Sequence, residues 1–207
     1  GKVFWERSPF TAFKYSGGGT VIMQLLLLDL LGKSFEAIMS DTVLVPIGMT
    51  GSTYEQPLPA ALESKAARAH PGGRAADAPW HVYPEQAAAG LWTTPTDLAR
   101  FAIEVQKALR GDPGRVLPQV LAREMVTPVG VGSYAVGFSV EKRGEGWYFM
   151  HGGGNWGFSC DLLAHYRKGY GIAVMTNSDT GGTLIREIEA RAAAAYNWDS
   201  LDKPVPR

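Results

Sequence analysis

The sequence predicts an α+β fold: helices first, then an antiparallel sheet with a closing helix. Three observations carry this. Up to Met125 the regular elements read as helices separated by loops. After Thr127 the pattern changes to short strand-like segments at 133–141, 146–151, 157–166 and 170–177. Gly-rich or Lys-Gly turns separate those segments, and a helical stretch at 182–196 follows them.

The elements can be taken in order. Tyr15-Ser16-Gly17-Gly18-Gly19 reads as a tight turn, because glycine tolerates backbone shapes that other residues resist. Thr20 then caps a helix to Leu31, with Gly32 past its end. That helix is apolar nearly all round, which implies burial on several sides. A second helix starts near Ser34 and ends before Pro46. Residues 50–60 read as loop, 66–82 as an irregular hairpin around Pro71-Gly72-Gly73, and 84–93 as a small-residue loop. Thr94 as N-cap, Pro95 at the first helical position and Asp97 at the third mark a clear helix start. Leu98, Phe101, Ala102, Val105 and Leu109 fall on one face of it. A short helix is expected from Pro118 to Met125. The organisation expected is a single partial domain, mainly helical over 13–126. Strands and the closing helix fill 127–198, and 199–207 form a tail.

The 207 residues are 45% apolar and 19% charged, enough to bury a core. Twenty basic residues balance twenty acidic ones, so charge gives no case for nucleic acid or an anionic membrane. The longest apolar run, Val21 to Leu31, is interrupted by Gln24 and Asp29 and is too short to span a bilayer. Cys160 is the single cysteine, which rules out an intrachain disulfide. His70, His81, His151 and His165 lack metal-ligand spacing, so neither a metal nor a cofactor is expected. The opening Gly1-Lys2-Val3-Phe4-Trp5 does not have the shape of a signal peptide, which leaves localisation undecided and the chain cytoplasmic as given.

Four blocks carry a resemblance. The first is Phe13-Lys14-Tyr15-Ser16-Gly17-Gly18-Gly19. The second is Leu31-Gly32-Lys33-Ser34-Phe35 leading to Pro46-Ile47-Gly48-Met49. The third is Ala89-Gly90-Leu91-Trp92-Thr93-Thr94-Pro95-Thr96-Asp97-Leu98-Ala99-Arg100-Phe101. The fourth is His151-Gly152-Gly153-Gly154, later followed by Val174-Met175-Thr176-Asn177. In this order they resemble the class C β-lactamases, DD-peptidases and related bacterial esterases, over nearly the whole chain. The resemblance implies a β-lactamase/transpeptidase-like fold with an antiparallel sheet flanked by helices, incomplete at the N-terminal side. It also implies acyl transfer: a serine of a Ser-x-x-Lys motif attacks a carbonyl while the lysine and a tyrosine manage its proton. Relatives are often exported to the periplasm.

Carried onto this chain, the resemblance makes Tyr15 the family tyrosine. His151 opens the strand triplet, where it orients Tyr15 or meets a substrate carboxylate. Gly152 and Gly153 allow a ligand close to the strand, and Gly154 lends its N–H to the oxyanion. A phenol titrates near 10 in isolation, so Tyr15 needs a cation nearby to act as a base. Gly17 stands where many relatives carry Asn, which favours an ester or peptide substrate over a β-lactam. The family serine lies upstream of the tyrosine, and the residues before Tyr15 contain no Ser-x-x-Lys. Thr11-Ala12-Phe13-Lys14 has the spacing but adjoins Tyr15. Ser139-Val140-Glu141-Lys142 lies in an expected strand, which sends Ser and Lys to opposite faces, and Ser200-Leu201-Asp202-Lys203 lies in the tail.

Other motifs are weaker. Gly152 to Gly157 matches G-x-G-x-x-G, but a dinucleotide site needs a helix next, and Phe158 to Tyr166 reads as a strand. No G-x-S-x-G elbow is present. Trp80, Trp92 and Trp156 line a cleft or pack in the core. A sheet without the family's N-terminal strands has an unpaired edge, and the 20–31 helix loses a packing face. The partners expected are therefore a small acyl ligand and either further copies of the chain or a separate N-terminal chain. Three functions stay open: a serine acyl-transfer lineage, a noncatalytic binding or structural remnant, and weak hydrolysis through Tyr15 and His151 with water as nucleophile.

Overall fold

The computed structural model describes Ser8, residues 11–144 and residues 146–198. The expected tail, with Ser200 to Lys203, and the opening Gly1 to Trp5 lie outside the described residues.

The first helix, α1, runs Gly17–Leu31. It starts three residues before the expected cap. Ser16 is the N-cap, its hydroxyl accepting the Gly19 N–H at 3.1 Å, so the glycines are the first helical turn rather than a loop before it. Gly32 at φ 60° closes the helix by donating its N–H to Leu28 O. The expectation of burial on several sides fails: among the residues of α1 only Gln24 is buried. Ile22, Met23, Leu25, Leu26, Leu30 and Leu31 are all at least half exposed.

The next helix does not stop before Pro46. It comprises α2 (Phe35–Met39), a π-helical turn (Ser40–Leu44) and α3 (Val45–Ile47). Proline lacks an N–H, and its ring clashes with the carbonyl four residues back in an α-helix. Here the Val45 N–H reaches back to Ser40 O, and this wider turn lets the chain pass through Pro46. Gly48 at φ 82° ends it.

A short α4 (Ala60–Glu63) follows. The expected hairpin over 66–82 is not one: this segment carries a 3-10 turn at Pro71–Gly73 and no strand pair. Its backbone is held by the Ala69 N–H on Pro79 O and the His70 N–H on Gly157 O. The small-residue loop contains a helical turn, α5 (Gln86–Ala89), ending at buried Gly90. A Cβ at Gly90 would lie 2.5 Å from Gln86 Cα, so only glycine closes that turn. The α6 helix (Pro95–Arg110) starts as its signals predict, with Thr94 Oγ1 accepting the Asp97 N–H. The α7 helix (Gln119–Met125) packs beside it.

Four strands form one antiparallel sheet in the order β1 (Ser139–Arg143), β2 (Gly146–Asn155), β3 (Phe158–His165), β4 (Gly171–Thr176). The expected first strand began at 133. Instead, turn bonds from Val129 N–H to Tyr134 O and Ala135 N–H to Phe138 O fold that segment, with Gly137 at φ 88°. One sheet face, through Val140, Phe149, Leu162 and Ala164, packs on Ala102 and Val105 of α6. The helix α8 (Gly182–Ala195) packs against β3 and β4, burying Ile185, Glu189 and Ala193.

Candidate functional site

The site is assembled where the start of α1 meets the far half of β2. The strand β1 pairs with β2 only as far as Met150. From His151 to Asn155, β2 keeps β3 on one side and, among the described residues, pairs with no strand on the other. Gly152, Gly153 and Gly154 are exposed there. The three glycines differ. A Cβ at Gly153 would lie 2.5 Å from Cys160 Sγ, so a larger residue there would push the Cys160 side chain aside. A Cβ at Gly154 would meet nothing within 4 Å, so that position opens on empty space.

The structure places Tyr15 and His151 side by side. The rings of Tyr15 and His151 are 6.0 Å apart between centroids. His151 Nδ1 lies 2.7 Å from Gly152 O. A carbonyl only accepts, so Nδ1 is the donor of this bond and Nε2 is the ring nitrogen it leaves free of that contact. Gly17 is not turned to the cleft: a Cβ there would point to Ala88 of α5, 3.8 Å away. Ser139 and Lys142 occupy β1 positions of opposite parity, and Ser139 Oγ is engaged with Ser133 Oγ at 3.2 Å.

One ring of the cluster escaped sequence reasoning. Tyr134 stacks on Phe13 at 4.4 Å, meets Tyr15 edge-on at 6.1 Å and is perpendicular to His151 at 6.4 Å. Burial, then the neighbouring Tyr15, raise the Tyr134 phenol above its ordinary range. Its segment is glycine-rich and reads as the start of a strand, so no sequence signal pointed to the site.

The α5 turn joins the two walls. Gly17 abuts Ala88, and Asn155 Nδ2 donates to Ala89 O at 3.0 Å, pinning the end of β2. Gln24 ties α1 to the same region, accepting the Ala87 N–H on Oε1 at 2.9 Å. Behind the sheet, on the face shared by Gly152, Asp161 and Glu189 form a carboxyl pair against α8. Burial raises Asp161, and it lifts Glu189 to about 7, aided by Asp161. Among the described residues no group of three His, Cys, Asp or Glu could hold a metal, and no helix is long and apolar enough to cross a membrane.

This arrangement of sheet, helices and site has counterparts. The sequence matches the Beta-lactamase family over residues 3–196, and the chain belongs to that family. No curated protein sequence matches it significantly. Among solved structures it is similar to SurE, at 24% identity and a TM-score of 0.74, covering 95% of this chain and 48% of SurE. It is similar to the octameric penicillin-binding protein homologue from Pyrococcus abyssi, at 17% identity and 0.72, covering 96% and 46%. The D-amino acid amidase from Ochrobactrum anthropi SV3, complexed with D-phenylalanine, matches at 19% identity and 0.68, covering 89% and 63%. The fold is thus β-lactamase/transpeptidase-like, and the chain spans about half the length of the first two. The lineage is that of serine hydrolases.

Proposed function

We propose that this chain forms the tyrosine–histidine wall of an acyl-transfer site for small amides and esters. The observation that carries the reading is the Tyr15–His151 pair, 6.0 Å apart beside the open glycine edge of β2. In this reading the substrate carbonyl lies along Gly152–Gly154 and takes a backbone N–H there as oxyanion donor. His151 Nε2 and the Tyr15 phenol relay the proton that the nucleophile loses and the leaving group gains. The amidase of similar fold makes D-amino acid amides the first substrates to try.

The nucleophile belongs to a segment or chain that covers the apolar face of α1. Supporting this, six large apolar side chains of α1 stand half or more exposed, and the chain spans half the length of similar structures. Alone, the chain is then a binding wall that self-associates through that face. The octameric homologue favours such assembly.

The test combines p-nitrophenyl acetate and butyrate turnover with intact-mass measurement after a fluorophosphonate. The expected result is no adduct and no turnover above a Tyr15→Phe control, with D-amino acid amides still binding and binding lost in His151→Ala. A stoichiometric adduct on the isolated chain would overturn the external nucleophile. Absence of amide binding would overturn the site.

A further inference from the structure

We infer that His81, Tyr83 and Trp156 form an aromatic subsite at the end of the open β2 edge, selecting substrates with a planar apolar side group. The inference rests on the acyl-transfer reading above and names the part of the substrate that reading leaves unspecified.

The subsite grows from the β2–β3 turn. Trp156 follows Asn155, whose side chain is pinned to Ala89 O. The Trp156 backbone N–H donates to Tyr83 Oη at 3.0 Å, which fixes the turn against the 80–84 segment. The back of the turn is sealed: a Cβ at Gly157 would lie 2.6 Å from both Ala69 Cβ and His70 N. On the other side, the His81 ring lies parallel to the Trp156 indole, 4.1 Å between centroids and 5° between planes, and Tyr83 tilts toward His81 at 6.2 Å.

The exposure of His81 sets this cluster apart from an ordinary aromatic pair. Trp80 and Trp92 meet edge-on at 5.3 Å with both rings half-buried. His81 is exposed, and so is Val82 beside it. An exposed imidazole laid flat on a half-buried indole adds little to the core, yet it builds a wall. Two residues before Trp156, Gly154 faces space with no atom within 4 Å of a Cβ position. The three rings stand at the end of the strand whose edge Gly152–Gly154 present, so a ligand laid along that edge runs toward them. Such walls favour planar apolar groups, through offset-stacked or edge-on contacts with the ring quadrupoles.

Calorimetric titration of the chain with D-phenylalaninamide and D-alaninamide tests this. Wild type should bind the aromatic amide about tenfold tighter, the scale of one good aromatic contact. His81→Ala, at an exposed position, should bring the two affinities to within about twofold by weakening the aromatic amide. Trp156→Phe should keep the preference at a reduced ratio. Equal affinities in wild type, or an undiminished preference in His81→Ala, would overturn the subsite and leave the Tyr15–His151 reading standing. No binding of either amide would overturn both.

Discussion

Gly153 of β2 faces Cys160 of β3 so closely that a methyl group on the glycine would lie 2.5 Å from the cysteine sulfur. The glycine edge is therefore partly a packing requirement, set by a side chain on the neighbouring strand. Burial and then Asp161 push the Cys160 thiol up, which keeps it an inert packing group. Gly153→Ala should destabilise the chain by about 1–3 kcal/mol in urea unfolding, the usual cost of overpacking. Adding Cys160→Ala removes the clashing sulfur and should recover most of that loss. An additive double mutant would show that the glycine is required for another reason.

Asp97 gives a second prediction. It is 1% exposed, and its Oδ2 accepts the Gly51 N–H and the Ser52 hydroxyl, each at 2.8 Å. Arg100 pairs with its Oδ1 at 2.6 Å. The Thr94-Pro95-Thr96-Asp97 signature thus anchors the loop at Gly51 and Ser52 to α6. Asp97→Ala leaves a buried N–H and a hydroxyl without their acceptor, while Arg100 can turn to water, and should cost about 1–3 kcal/mol. Asp97→Asn keeps acceptor and shape and should cost clearly less. The same loss in both, by chemical denaturation, would mean that charge alone matters.

These two cases show what was legible in the sequence. The α6 start, the strand meander and the Tyr15–His151 meeting could be read, because caps, period-2 spacing and four ordered blocks are local signals. The π-turn through Pro46 could not, since a single residue decides whether a proline breaks a helix or widens it. The 66–82 segment was misjudged because its order comes from distant partners, such as His70 N–H on Gly157 O. Tyr134 was missed for the same reason: its place beside His151 depends on turns within 129–138 that bring distant rings together. The α1 helix shows the limit of hydropathy, which cannot tell leucines buried within this chain from leucines awaiting a partner.

Within α1 the usual polarity is inverted. Gln24, 7% exposed, points inward to Ala87 N and Pro84 O, while Leu26 and Leu30 point outward. Gln24→Leu should cost about 1–3 kcal/mol by leaving the Ala87 N–H without its partner. Leu26→Glu with Leu30→Glu should leave unfolding within about 0.5 kcal/mol of wild type, as exposed positions do. The same pair should abolish concentration-dependent association in sedimentation velocity. A wild-type chain that is monomeric at every concentration would refute self-association through this face.

The carboxyl pair behind the site predicts an unusual pH dependence. Glu189 is 6% exposed and its Oε1 is buried without a hydrogen-bond partner, while Asp161 shares its proton from β3. Arg143, Arg186 and His151 are the charged and titratable groups whose fields reach the pair. Burial, then Asp161, lift Glu189 from 4.5 to about 7, so the folded chain binds a proton there that the unfolded chain releases. Stability from this group is full below pH 4.5 and falls as pH rises to about 7, the reverse of an ordinary salt-bridged carboxylate. The raised Asp161 carboxyl acts in the same direction. Unfolding free energy measured between pH 5 and 8 should decline by about 1–3 kcal/mol in wild type. Glu189→Gln, which cannot ionise, should flatten that decline while leaving α8 helical by circular dichroism. An unchanged slope in the variant would place the proton elsewhere and make the pair a simple hydrogen bond.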